Sequence, residues 1–188
     1  MCKPRETMIA LFFLRILFLC LSHATLSQSR EEGYPDAIKV MQNLPKTYML
    51  KSLGEYPKVL CGFQYFYNRT LRSENYRMYN LYFFRKDRIF HDQAFYVKKV
   101  SGNTIFMGTH YEKFLTPTDK REILFSKTDT CMVIRDPKNS KACNLMVTKE
   151  SSSNTPKICL EKFQKYCEGT AFNYSVTDCP YPAALPRI

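Results

Sequence analysis

The residues able to do chemistry in this chain are few, and cysteine dominates them. Cys2 and Cys20 lie in the first two dozen residues, while Cys61, Cys131, Cys143, Cys159, Cys167 and Cys179 follow, five of them in the last third. An even number of thiols behind an export-like start predicts a disulfide framework formed in an oxidising compartment. His91 and His110 are the only histidines beyond that start. They fall in separate runs with no acid–base partner motif beside them, so neither nuclease-type catalysis nor haem ligation is expected of them. No Gly-x-Ser-x-Gly, His-Glu-x-x-His, Walker-type loop or zinc-ligand spacing occurs. The expectation is a binding protein with no catalytic residue, no metal and no cofactor.

The start itself reads as an export signal, residues 1–24: Lys3 and Arg5, an apolar run over 8–21 broken by Arg15, then Ser22-His23-Ala24 as a small-residue cleavage site. The run is too short to favour a retained spanning helix, and no later apolar run replaces it. The expected product is a secreted, extracellular, monomeric protein without membrane insertion, residues 25–188 forming one domain. Two sequons agree with that route, Asn68-Arg69-Thr70 and Asn173-Tyr174-Ser175, which makes Asn68 and Asn173 the expected glycosylation sites. The net charge of +11 comes from lysines and arginines scattered along the chain. Without a block of like charges, no nucleic-acid partner is expected, and the balance implies solubility and weak attraction to acidic surfaces.

These groups must be positioned by strands. Short runs rich in tyrosine, phenylalanine, valine and isoleucine recur near 47–52, 58–67, 76–85, 92–100, 104–111, 121–126, 130–135 and 142–148, divided by turn-forming clusters. Eight such runs over 47–148 predict a mainly β fold, an eight-stranded antiparallel up-and-down barrel. A short helix is expected over 36–44, with Asp36 as its N-cap and Pro45 as its stop. A second is expected over 155–167, where Thr155 would cap, Pro156 would take the first helical position and Cys159, Phe163 and Cys167 would form one stripe against the barrel's outside. A terminal strand over 171–179 completes the prediction.

Strand parity then selects a lining. An outward, glycosylated Asn68 sends Cys61, Phe63, Tyr65 and Tyr67 inward. In the next run Tyr76, Met78, Tyr82 and Phe84 share a face, taken as the inner one. A one-residue slip in register would invert every such assignment.

The order Cys131-x-Val133-Ile134, Cys143-x-Leu145-x-Val147, Pro156-x-x-Cys159-x-x-x-Phe163-x-x-x-Cys167 and Tyr174-x-x-x-x-Cys179 resembles that of the salivary lipocalins of ticks, the histamine-binding protein family. Residues 36–42 look like that family's opening helix and Thr47-Tyr48-Met49-Leu50 like its first strand. The resemblance implies the pairs Cys61–Cys179 and Cys131–Cys159, and with them Cys143–Cys167. It also implies a lipocalin barrel that sequesters a small host mediator, a biogenic amine such as histamine or serotonin or an eicosanoid lipid, and so suppresses host inflammation and haemostasis.

Two positions depart from the family pattern. Ile38 stands where relatives often carry tryptophan, and Met132 follows Cys131 where amine-binding relatives often carry aspartate. A desolvated ammonium needs a carboxylate partner, so the missing acid weighs against histamine. The expected ligand-lining set is Tyr48, Phe63, Tyr65, Tyr67, Tyr82, Phe84 and Met132, suited to a flat or fatty ligand. Arg77, Arg85, Lys98 and Lys99 are the candidate partners for a ligand carboxylate. The alternative is a lipocalin that blocks a host complement, coagulation or receptor protein through its loops, with Tyr111 and Phe114 as the first loop residues to test.

Overall fold

The computed structural model describes residues 33–180; the expected export signal over 1–24 lies outside them. The wall is built from β1 (Lys46–Ser52), β2 (Val59–Leu71), β3 (Glu74–Arg85), β4 (Phe90–Ser101), β5 (Thr104–Gly108), β6 (Asp119–Lys127), β7 (Cys131–Asp136) and β8 (Asn139–Val147). Each strand pairs antiparallel with the next, and β8 returns to β1, which also pairs with β2. The result is the closed eight-stranded lipocalin-like barrel that the spacing of the runs predicts. Helix α1 (Ala37–Asn43) precedes the wall, and α2 (Lys157–Tyr166) and the two-residue β9 (Phe172–Asn173) follow it.

The inside of the barrel is identified by its cluster of buried side chains. Met49, Phe66, Tyr79, Phe95, Ile105, Ile123, Met132 and Met146 come one from each of the eight strands, and Ala37, Val40, Met41 and Leu44 of α1 pack beneath them. Helix α1 therefore plugs one end. Its position is fixed by Asp36, whose carboxylate accepts the Ile38 N–H at 2.8 Å, and by the Ala37 N–H, which donates to the Gly102 carbonyl in the β4–β5 turn at 2.9 Å. Methionine is prominent in this filling, with Met107 joining Met41, Met49, Met132 and Met146, and its flexible thioether suits an irregular barrel axis.

A second cluster lies on the outside. Leu124, Val133, Leu145 and Val147 meet Phe163 of α2 there, together with all six paired cysteines. Cys131–Cys159 and Cys143–Cys167 staple α2 to β7 and β8, with Cα atoms 6.3 and 5.8 Å apart. The helix begins differently from expectation: Pro156 is the N-cap, and the Thr155 hydroxyl donates backwards to the Ser151 and Ser152 carbonyls. The hydroxyl is held by the preceding turn, which leaves it unable to cap.

The third bridge closes a gap in the wall. β1 stays on β2 only over Lys46–Tyr48, after which the two strands diverge. β9 enters that wedge, pairing with Lys51 and Ser52, while the Tyr174 N–H donates to the Leu50 carbonyl and the Ser175 N–H to the Leu60 carbonyl of β2. Cys61–Cys179 then ties β2 to the segment just past the wedge, with Cα atoms 5.3 Å apart.

β5 stops at Gly108, short of the predicted 111. The chain from 109 folds back over the outer face of β3 and β4, where the Lys98 ammonium donates to the His110 and Glu112 carbonyls. Tyr111 packs edge-on against Tyr76 and Tyr96, at centroid distances of 5.9 and 6.2 Å. Phe114, at the far side of this strap, is 83% exposed.

Candidate functional site

At the end of the barrel opposite α1, the core stops short of the rim and leaves a cavity of about 210 Å³. Tyr56, Leu81, Phe83 and Ile134 give it apolar walls, and Gln64, Gln93, Arg121, Asp136, Asn139 and Asn144 give it polar ones. The charged pair is built by β6 and β7. Arg121 shares the inward parity of Ile123, and its Nη1 donates to Asp136 Oδ2 at 2.8 Å, each side chain 15% exposed. Asp136 Oδ1 accepts the Lys138 N–H at 2.9 Å, so the carboxylate is oriented by the turn it begins.

Below the ion pair, the Tyr79 hydroxyl donates to Gln64 Oε1 at 2.9 Å and Gln64 Nε2 donates to the Met132 sulfur at 3.2 Å. Burial drives the Tyr79 phenol up to about 12, against the opposing pull of the Arg121 guanidinium. Asn144, opposite Ile134 on β8, presents a buried Oδ1 that no hydrogen-bond donor reaches among the described residues. The cavity thus offers one carboxylate paired with one guanidinium, side-chain amides and aromatic walls, able to hydrogen-bond a small polar molecule and to pack against a ring.

The expected lining set is distributed otherwise. Met132 faces the interior but sits wholly buried in the packing. Tyr48, Phe63 and Tyr82 belong to the outer cluster, with Tyr65 and Phe84 packed against it. Phe63 borders the cavity, yet its ring stacks on Tyr82 at 4.7 Å on the outer face. Tyr67 stacks on Tyr65 at 4.9 Å and its hydroxyl accepts from Asn80 Nδ2. The inward assignment of these aromatics is corrected: Gly62, Gln64 and Phe66 are the inner residues of β2. The physical reason is that β2 and β3 overrun the barrel at the α1 end, so Asn68 combines inward parity with exposure to solvent. Burial of the outer aromatics beneath other chain segments hides the contrast that parity arguments need.

The other expected residues are placed as follows. Arg77, Lys98 and Lys99 line a groove beside α1, and Arg85 pairs with Asp87 in the β3–β4 hairpin. None of the four reaches the cavity. His91 and His110 are both exposed, on β4 and in the 109–118 connection. Reasoning from sequence missed Arg121, Asp136, Gln64 and Asn144; the alternation of Arg121 with Ile123 is the available signal, whereas Asp136 stands directly before Pro137, where a turn former is ordinary.

The family model described as tick histamine binding protein matches residues 26–180. The chain belongs to the tick histamine-binding protein family. A solved structure of AM182 in complex with serotonin is similar at a TM-score of 0.55 and 18% identity, covering 82% of this chain and all of that one. The cockroach major allergen Per a 4 is similar at a TM-score of 0.49 and 10% identity, over 72% of this chain and 83% of that one. No curated protein matches the chain. Membership of the histamine-binding family accords with the barrel, the α2 staple and the three bridges described above. Among the described residues there is no metal-ligating cluster of three or more side chains, and no helix is long and apolar enough to cross a membrane.

Proposed function

We propose that this member of the histamine-binding family is a secreted carrier that sequesters a small host amine in the open-end cavity, damping inflammation or haemostasis by binding without turnover. The observation that carries the reading is the pairing of a small volume with an inward carboxylate. Drug-sized ligands occupy roughly 300–1,000 Å³, so a cavity of about 210 Å³ suits a single-ring or fused-ring amine. An extended acyl chain finds no room, because methionine and aromatic side chains fill the barrel axis. An ammonium would approach Asp136, with Gln64 and Asn144 oxygens accepting its remaining protons and the ring lying against Tyr56 and Phe83. The family's name and the serotonin complex of the fold relative support an amine over a lipid. Six cysteines in three bridges support an oxidising, extracellular location.

Titration calorimetry of the oxidised protein with serotonin, histamine and an eicosanoid tests this. One amine should bind at one site per chain and lose at least about tenfold in affinity in Asp136→Asn, as expected for a desolvated charge pair. Eicosanoid binding without an amine response overturns it.

One observation favours a second reading, blockade of a host protein through the loops: Phe114 stands exposed on a strap otherwise well anchored. A Phe114→Ser variant that keeps amine affinity but loses inhibition of complement or coagulation would select that reading.

A further inference from the structure

Beside α1, at the end where β2 and β3 overrun the barrel, lies a groove in two adjoining parts, of about 420 Å³ and 220 Å³. The larger runs along Asn75, Tyr76 and the edge of β4 from Val97 to Val100, and the smaller along Met41, Gln42, Pro45 and Phe66. Three residues border both parts: Ile38, Asn68 and Arg77. Asn68 is the acceptor of the first sequon, is exposed, and lies directly across from Arg77 on β3. Ile38 is 37% exposed, an apolar side chain left on the solvent face of α1.

We propose that Asn68 carries an N-linked glycan whose first sugars lie in this groove, covering Ile38 and bracing α1 against β2, β3 and β4. The occupant is tethered within the groove itself. The N-acetylglucosamine ring presents an apolar face suited to Ile38, Val97 and Val100, and hydroxyl and acetamido groups suited to Arg77, Asn75 and Gln42. Attachment forms a bond between Asn68 Nδ2 and the anomeric carbon of an oligosaccharide carried on a lipid diphosphate. The carbon–oxygen bond to phosphate breaks, the diphosphate leaves with its electron pair, and the amide gives up one proton. The second sequon differs: Asn173 Oδ1 accepts from Lys51 Nζ at 2.7 Å beside the β1–β9 wedge, away from both parts of the groove. The proposal rests on the secretory reading above, since only that route supplies the donor.

The test is expression of the full chain in a secreting eukaryotic cell line, as wild type, Asn68→Gln and Asn173→Gln. Intact mass should fall by one glycan in Asn68→Gln. Amide exchange over residues 37–43 should quicken several-fold in that variant and stay at the wild-type rate in Asn173→Gln. Endoglycosidase trimming of the folded wild type to a single N-acetylglucosamine should preserve the slow exchange, which keeps the result independent of how the variant folds. A bare Asn68 in secreted protein, or α1 exchange indifferent to the glycan, overturns the proposal while leaving secretion intact. A chain retained in the cell with both sequons bare overturns the secretory reading and the proposal together.

Discussion

Arg121 does two opposing things at the cavity. It neutralises Asp136 and so permits a largely buried carboxylate, but it also occupies the oxygen that an incoming ammonium would seek. In Arg121→Gln we expect the fold to lose about 2 kcal/mol, a discounted figure for breaking a pair that is mostly but not wholly buried. Amine affinity should rise in the same variant, because Asp136 is freed. Denaturant titration and calorimetry on one preparation check both signs, and a fall in affinity would show that Arg121 itself contacts the ligand.

Tyr79 supplies a pH signature. Its folded pKa of about 12 lies above the ordinary phenol value near 10, so the folded state holds the proton longer than the unfolded one. The stability it contributes is complete below pH 10 and is lost as pH rises towards 12, by about 2–3 kcal/mol. Tyr79→Phe should flatten that alkaline limb in melts taken at successive pH values, at the cost of leaving Gln64 Oε1 without its donor. An unchanged limb would place the alkaline transition elsewhere.

Among the elements, α1 is short enough to depend on its cap. Asp36→Ala removes the acceptor for the Ile38 N–H and should cost about 1 kcal/mol, read as an earlier denaturation midpoint and faster exchange in the β4–β5 turn, where Ala37 is hydrogen-bonded. This cap was legible from Asp36 and Pro45 alone, as were the eight runs, because alternation and turn residues are local signals. The cap of α2 was not, since Thr155 spends its hydroxyl on the turn before it. Parity failed for a different reason. Cys61, Phe63 and Tyr65 alternate as clearly as any inner set, but Cys61 is covered by the terminal segment and the two rings pack among other outer aromatics, and a strand buried on both faces carries no mark of which face is inside. The cavity was the least visible part, because Gln64, Arg121 and Asn144 meet only once the barrel has closed.

For the molecule as a whole, the three bridges add stability on the scale of the net folding free energy. In the chain-entropy account the two α2 bridges each contribute about 3.5 kcal/mol and Cys61–Cys179 about 5, near 12 together if taken as independent. That rivals the entire stability of an ordinary domain, about 5–15 kcal/mol. The reduced protein is therefore expected to be largely unfolded at room temperature, while the oxidised one melts cooperatively. Circular dichroism with and without reductant decides the point, and a native-like reduced spectrum would mean that barrel closure alone suffices.

The wedge between β1 and β2 is filled by residues that follow every other described strand and both described helices. A nascent polypeptide, emerging from its first residues onward, holds β1 and β2 before it has residues 172–175 to fill the wedge, and Cys61 can pair with Cys179 only after these. A chain still on the ribosome lacks the segment that bridges β1 to β2, and only one that has reached Cys179 can have both the filled wedge and its bridge.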